Sequence, residues 1–204
     1  HINTERLQDH FTTSWAHRDY DPSLFNSITK PADRAEIASE RFTQEEVCKR
    51  LSRAENTAPG NDRLTYRHWR SVDPNGRFLT GVFNVCQKHR RVPASWKQSR
   101  VILIPKKGDM TQPDNWRPIS LSRTIYKLYA GCWTTRLTNW IEGNGVLSKC
   151  QKGFRPHDGV FESHFLLDEA KQAAKRRHGN FTAAFLDCSN AFGCLPHDAI
   201  SLVL

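Results

Sequence analysis

Four segments of this chain carry residue types and spacings that could do chemistry on phosphates. The first is Leu186-Asp-Cys-Ser-Asn-Ala-Phe192, where the apolar run Phe181-Thr-Ala-Ala-Phe-Leu186 leads into Asp187. A carboxylate at the end of a buried strand is held rigidly, and it can bind Mg²⁺, a hard cation that takes its remaining oxygens from phosphate and water. Nucleotidyl transfer uses two such ions about 3.5–4 Å apart, and one aspartate cannot hold both. In isolation an aspartate after a strand is more often a turn former or helix N-cap than a metal ligand. The second segment is Ile104-Pro-Lys-Lys-Gly-Asp109 followed by Asn115-Trp-Arg-Pro-Ile-Ser120. Lys106, Lys107 and Arg117 on facing arms of a hairpin could clamp a triphosphate, lysine as a point charge and arginine through two oxygens at once. Without context this is an ordinary basic hairpin. In the third, Cys150-Gln-Lys-Gly-Phe-Arg155, Gly153 allows close backbone approach, and Lys152 and Arg155 could meet phosphates; otherwise it is a turn. The fourth, Ala58-Pro-Gly-Asn-Asp62, is a Pro-Gly turn.

The elements that must position these residues are mostly helices. Residues 1–42 read as short helices and loops. Thr43 and Glu46 form a capping box ahead of Val47, Leu51 and Ala54 at helical spacing, and this helix ends near Glu55. The spacing predicts a helix over 76–90 with Phe78, Val82, Val85 and Cys86 on one side. Arg100–Pro105 and Pro118–Leu121 are strands of a hairpin whose tip carries the two lysines. A long helix should run from an N-cap at Ser122 to about Glu142. Its apolar face is Ile125, Leu128, Tyr129, Cys132, Trp133, Leu137, Trp140 and Ile141, and these aromatics read as core. A loop spans 148–159, a helix 161–177, and Phe181–Leu186 should be a buried strand. The class is mixed α/β (α+β), helix-rich with a basic hairpin.

Composition sets outer limits. The chain has 204 residues, 38% of them hydrophobic and 25% charged, which fits a globular class rather than disorder. No apolar run approaches membrane-spanning length. The six cysteines show no Cys-x-x-Cys pair or zinc spacing, so they read as free thiols without disulfides in a reducing compartment, each a small half-buried hydrophobe. Net charge is +9, and residues 1–42 carry −2 of it while 43–204 carry +11, a balance that suits a polyanionic partner. The chain starts at His1 and ends on the apolar Ile200-Ser-Leu-Val-Leu204, so both ends read as cuts through a longer protein.

Taken in order, the segments resemble a known series. Pro59-Gly60-x-Asp62, Pro93-x-x-Trp96, Ile104-Pro-Lys106, Asn115-Trp-Arg-Pro-Ile-Ser120, Gln151-x-Gly-Phe154 and Leu186-Asp-x-x-x-Ala-Phe192 are similar to the ordered motifs of non-LTR (LINE-type) retrotransposon reverse transcriptases. The resemblance covers about residues 43–200, and Gln151–Glu162 is most similar to the R2-like branch. It implies the fingers and partial palm of a right-hand polymerase, with an N-terminal extension at 1–42, fingers at 43–179 and the start of the palm at 180–204. It implies Asp187 and the backbone carbonyl of Cys188 as ligands of Mg²⁺, with Mn²⁺ as substitute. Lys106, Arg117 and alternatively Lys107 would hold the triphosphate, and Phe192 would lie under the incoming sugar. Pro59, Gly60, Asp62, Gln151, Lys152, Gly153, Phe154 and Arg155 would lie along the template.

The implied partners are an RNA template, a DNA primer, deoxynucleoside triphosphates, the remaining palm and thumb, and an endonuclease domain. The implied location is nucleus and cytoplasm, as a ribonucleoprotein. Gly193 departs from the series, which places Asp after Ala-Phe. The second catalytic motif, aromatic-x-Asp-Asp, is expected beyond residue 204, since no Asp-Asp pair occurs here; these residues alone should therefore not polymerise. Two other readings stay open, a non-enzymatic RNA-binding remnant and an unrelated basic α/β binding module. The resemblance makes one spatial demand: Lys106 and Arg117 must face the same triphosphate as Asp187.

Overall fold

The computed structural model describes residues 3–16, 19–26, 39–188, 191 and 195–203. It divides into two compact units, Arg34–Asn144 with the first three residues, and Thr4–Asp33 with Gly145–Leu204.

In the unit at 34–144, helix α2 (Gln44–Arg53) begins at the capping box read from the sequence. Glu46 N–H donates to Thr43 Oγ1 at 3.2 Å, and Thr43 N–H donates to Glu46 Oε2 at 2.7 Å. (Helix α1, Thr4–Ser14, belongs to the other unit.) The open carbonyls at the α2 C-terminus are met by Arg70, whose guanidinium donates to the Leu51 and Ala54 oxygens. Arg70 lies on α3 (Tyr66–Val72). Helix α4 (Arg77–Lys88) starts at Gly76 (φ +67°), where a side chain would press on the Cys48 backbone, and buried Asp73 accepts from Leu79 N–H at 2.8 Å in place of a capping side chain.

Strands β1 (Ser99–Pro105) and β2 (Trp116–Ser122) pair antiparallel, with Ile104 opposite Arg117. Helix α5 (Thr124–Gly143) follows at once. Ser122 therefore closes β2 instead of capping the helix. Its hydroxyl lies 2.8 Å from that of Ser99 across the ladder, and Arg123 stands at the cap.

The core lies between α2, α4 and α5. Val47 and Leu51 meet Leu79, Phe83 and Cys86, and Ile125, Leu128 and Cys132 close it. Phe42 is buried ahead of α2, its N–H and C=O both engaged by the Asn84 side chain at 2.7 and 3.0 Å. Phe83 contacts Phe42, Trp96 and Tyr129 edge-on, a geometry that stabilises by about 0.5–1.5 kcal/mol per ring pair beyond area. The expected face of α4 needs correction. Leu79 and Phe83 point inward with Cys86, while Phe78 and Val85 are 61% and 57% exposed. The two candidate stripes differ by a rotation of about one residue, and only the position of α2 and α5 selects between them. On α5 the expected stripe is buried through Cys132, then opens, with Leu137 exposed.

The other unit contains α1, a 3₁₀ turn (Pro22–Phe25), α6 (Gly159–Arg176) and α7 (His197–Val203). Neither α1 nor α6 buries a residue. The strand expected at Phe181–Leu186 is not formed: residues 179–188 have no regular structure, and Phe185 and Leu186 are 83% and 96% exposed. The physical reason is the missing ladder. A strand is stable through hydrogen bonds to a neighbour, and the described strands β1 and β2 pair only with each other. Cys48 is half-buried as expected; Cys86 and Cys132 are fully buried by the helix packing, and Cys150 and Cys188 are exposed because no packed layer surrounds their loops; Cys194 lies outside the described residues. Among the described residues, no helix is long and apolar enough to cross a membrane.

Candidate nucleotide-binding hairpin and acidic loop

The tip of the hairpin is held by its own hydrogen bonds. Lys106 N–H extends the ladder to the Asn115 carbonyl at 2.7 Å. The Asn115 amide donates to the Asp109 carbonyl at 2.7 Å, and the Trp116 indole to that of Met110 at 3.0 Å. Asp109 in turn accepts from the Thr111 N–H and hydroxyl, and Gly108 sits at φ +128°, where few other residues fit. Strand alternation puts Arg117 on the face of its partner Ile104, and Lys106, two residues beyond Ile104, on the same side. Lys106 Nζ donates to the Asp114 carbonyl at 2.8 Å. Lys107 and Arg117 are exposed, and none of the three cations has an ion-pair partner among the described residues. Three unneutralised cations on a pinned turn form a site that attracts phosphate oxygens without first breaking a salt bridge.

The base of the hairpin is fastened by the 58–64 loop, which brings Pro59, Gly60 and Asp62 to the β2–α5 junction. Gly60 is buried against it: a Cβ there would lie 2.8 Å from Arg123 N and 3.0 Å from Ser122 C. Asp62 accepts from Leu64 N–H at 3.2 Å and lies 3.8 Å from the Arg123 guanidinium. Fully buried Thr124 donates to the Leu64 carbonyl at 2.7 Å and accepts from the Trp69 indole at 2.8 Å. Lys127 Nζ donates to the Ala58 carbonyl at 3.0 Å, and burial pushes its pKa down. Thr124, Trp69 and Lys127 were not legible as positioning residues. Thr124 falls on an apolar helix face, and only the fold shows that its hydroxyl links two segments sixty residues apart.

In the other unit, the 151–155 segment forms a turn before α6. Gln151 Nε2 donates to the Gly153 carbonyl at 3.1 Å, and Arg155 reaches the Gln151 carbonyl at 3.5 Å. Lys152 is paired with Glu162, and that bond holds the Glu162 carboxyl below its ordinary pKa. Gly159 is needed here, because a Cβ would lie 2.5 Å from the Lys152 carbonyl, and Asp158 caps α6 by accepting from Phe161 N–H at 3.0 Å. Gly153 has room for a side chain, and Phe154 is fully exposed at φ +60°.

Asp187 lies in the exposed, irregular 179–188 segment, its Oδ1 accepting from Cys188 N–H at 3.0 Å. Phe192 lies outside the described residues. Among the described residues no three His, Cys, Asp or Glu side chains gather as metal ligands. Asp187 with the Cys188 carbonyl thus offers one edge of a cation site and does not make one. The hairpin cations belong to one unit and Asp187 to the other.

Residues 104–203 match the reverse transcriptase (RNA-dependent DNA polymerase) family. Over 164 residues, 80% of this chain, the sequence is 29% identical to a retrovirus-related Pol polyprotein from type-1 retrotransposable element R2 of Nasonia vitripennis, of which it covers 15%. It is 31% identical over 70% of its length to the transposon TX1 uncharacterized 149 kDa protein of Xenopus laevis, covering 11% of it. It shares the same identity, also over 70%, with the RNA-directed DNA polymerase from mobile element jockey of Drosophila melanogaster, covering 16%. The chain thus spans less than a fifth of the length of these three relatives.

Proposed function

We propose, from the premise that residues 104–203 are part of a reverse transcriptase domain of the non-LTR retrotransposon type, that this chain supplies the triphosphate-holding part of an RNA-directed DNA polymerase. Its substrates are deoxynucleoside triphosphates, added to a DNA 3′ end paired with an RNA template. The primer 3′ hydroxyl gives up its proton to solvent as its oxygen attacks the α-phosphorus, the bond from that phosphorus to the bridging oxygen breaks, and pyrophosphate leaves. The carrying observation is the pinned hairpin with Lys106, Lys107 and Arg117 unneutralised at its tip. Lys106 and Arg117 bind the β- and γ-phosphate oxygens, with Lys107 as the alternative lysine, so catalysis by this part is positioning and charge stabilisation. The clasp at Gly60, Asp62 and Thr124 acts through the hairpin and sets its angle.

Divalent cations, Mg²⁺ with Mn²⁺ as substitute, would stabilise the charge developing on the entering and leaving oxygens. Asp187 and the Cys188 carbonyl would supply one edge of their site, and the resemblance alone assigns Phe192, outside the described residues, the place under the sugar. Gln151, Lys152, Gly153, Phe154 and Arg155 line the template path with Pro59, Gly60 and Asp62; Lys152 must leave Glu162 to reach a phosphate. In this reading residues 43–179 serve as fingers, 180–204 begin the palm and 1–42 precede both. A thumb and an endonuclease domain complete the protein, which works in nucleus and cytoplasm as a ribonucleoprotein.

Equilibrium binding of a fluorescent deoxynucleoside triphosphate to the purified 204-residue chain tests this. Arg117→Ala and Lys106→Ala should each weaken binding about tenfold or more. Asp187→Ala should weaken it in Mg²⁺ and leave it unchanged in EDTA, because the carboxylate acts only through the cation. Affinity indifferent to all three substitutions overturns the reading. The chain by itself should show no primer extension on an RNA template, and extension by the purified chain contradicts that expectation.

A further inference from the structure

A basic cavity in the 34–144 unit lies outside the hairpin tip and outside all six motif segments. Its volume is about 730 Å³, and Arg41, Lys88, Arg90, Arg91 and Lys97 line it beside a wall of Tyr129 and Trp133. Among the described residues no carboxylate lines it, and none of the five cations has an ion-pair partner. Five like charges around one cavity repel each other, and a polyanion is the ligand that removes the repulsion while releasing counterions.

A second observation concerns the backbone at the rim. Helix α4 ends in a Schellman motif: Arg90 N–H donates to the Gln87 carbonyl and Arg91 N–H to the Cys86 carbonyl, both at 3.0 Å. Arg90 occupies the left-handed position of that motif, φ +47°, where glycine is the unstrained residue. The same motif closes α6 with His178 at φ +51°, so the strain belongs to the helix ending, and what it does here is set the Arg90 guanidinium on the cavity rim.

We propose that this cavity binds a single-stranded polynucleotide, with phosphates on Arg41, Lys88, Arg90, Arg91 and Lys97 and a base against the Tyr129–Trp133 wall. The cavity and its charge stand by themselves; the choice of a polynucleotide rests on the proposed function. Size and chemistry agree, since 730 Å³ lies within the range of small-ligand sites and base–aromatic contact tolerates any sequence.

The test is fluorescence anisotropy of labelled 15-nucleotide oligouridine RNA, with oligothymidine DNA in parallel, on the full chain across a salt series, with no triphosphate or metal present. A failure here is then separate from a failure of triphosphate binding. Arg91→Glu and Lys97→Glu should each weaken binding about tenfold or more. Arg90→Gly is the decisive variant. It should raise Tm by about 2–4 °C through relief of the left-handed strain. It should also weaken binding and lower the slope of log affinity against log salt by about 0.7. A purely structural Arg90 would raise Tm and leave binding untouched. Loss on both oligonucleotides supports a polynucleotide in general, and loss on one alone narrows the ligand to RNA or DNA. Unchanged binding in Arg90→Gly and Arg91→Glu overturns the proposal. So does polyglutamate competing as well as an oligonucleotide of equal charge.

Discussion

The two compact units of this chain use the same raw material and reach opposite results. In the 34–144 unit, α2, α4 and the first half of α5 turn their apolar stripes toward one another, and Val47, Leu79, Phe83 and Leu128 are almost wholly withdrawn from water. In the other unit, α6 runs for 18 residues and buries none, with Phe161, Phe165 and Leu166 each more than half exposed. Both regions contain amphipathic helices. Periodicity is enough to fold a helix, but burial also requires a second surface of matching shape, and hydrophobic stabilisation follows the area removed from water. The site residues divide in the same way. Lys106 is fixed by bonds to the Asn115 and Asp114 carbonyls and Gly60 by close approach to Ser122 and Arg123, while among the described residues Asp187 bonds to Cys188 N–H alone.

The largest effect that would sharpen this contrast is in the core. Phe83→Ala should cost about 3–5 kcal/mol through lost burial and a cavity. Phe165→Ala should change stability by less than about 0.5 kcal/mol, as for an ordinary surface position. Urea denaturation followed by far-UV circular dichroism measures both, and equal losses would mean that α6 is packed after all.

Two glycines give the next test. Gly60→Ala places a methyl group 2.8 Å from the Arg123 backbone and should destabilise by about 1–3 kcal/mol, also weakening triphosphate binding at the hairpin it supports. Gly153→Ala meets nothing closer than 3.7 Å and should leave both stability and triphosphate binding unchanged. If the two variants behave alike, the clasp at residues 58–64 does not position the hairpin.

The smallest expected effect is electrostatic. Arg136 donates to both oxygens of Glu46 at 2.8 and 2.9 Å and to the carbonyls of Glu40 and Arg41, tying the entry of α2 to α5. The hydrogen bonds to Arg136 are the main cause that lowers the Glu46 pKa from 4.5 to about 2, against the opposing effect of burial. A carboxyl whose folded pKa is depressed contributes stability above its unfolded pKa and loses that contribution as pH falls toward the folded value. Thermal melts should therefore show Tm falling between about pH 4.5 and pH 2, with a smaller fall in Glu46→Gln. Because this carboxylate is partly solvated, solvent screening limits the contribution to about 1 kcal/mol. Parallel pH profiles in the two proteins would show that the pair does not contribute.

Much of the local structure was present in residue types. The capping box at Thr43–Glu46, the hairpin with Lys106 and Lys107 at its tip, and the helices at 124–143 and 159–176 follow from caps, turn formers and apolar spacing, which act over a few residues. The ordered motifs that resemble a reverse transcriptase were legible as well, since each is a short run of fixed residues.

Tertiary structure decided what depends on distant partners. It selected Leu79 and Phe83 over Phe78 and Val85 as the inward face of α4, and it made Gly60 and Thr124 fasteners of the hairpin. It brought Arg41, Lys88, Arg90, Arg91 and Lys97 around one cavity. It also left Phe181–Leu186 without a ladder partner, so the run that reads as a strand does not become one. The physical reason is common to all four: backbone preference is set within a turn or two of chain, whereas burial, pairing and convergent charge depend on surfaces that only the folded chain brings together.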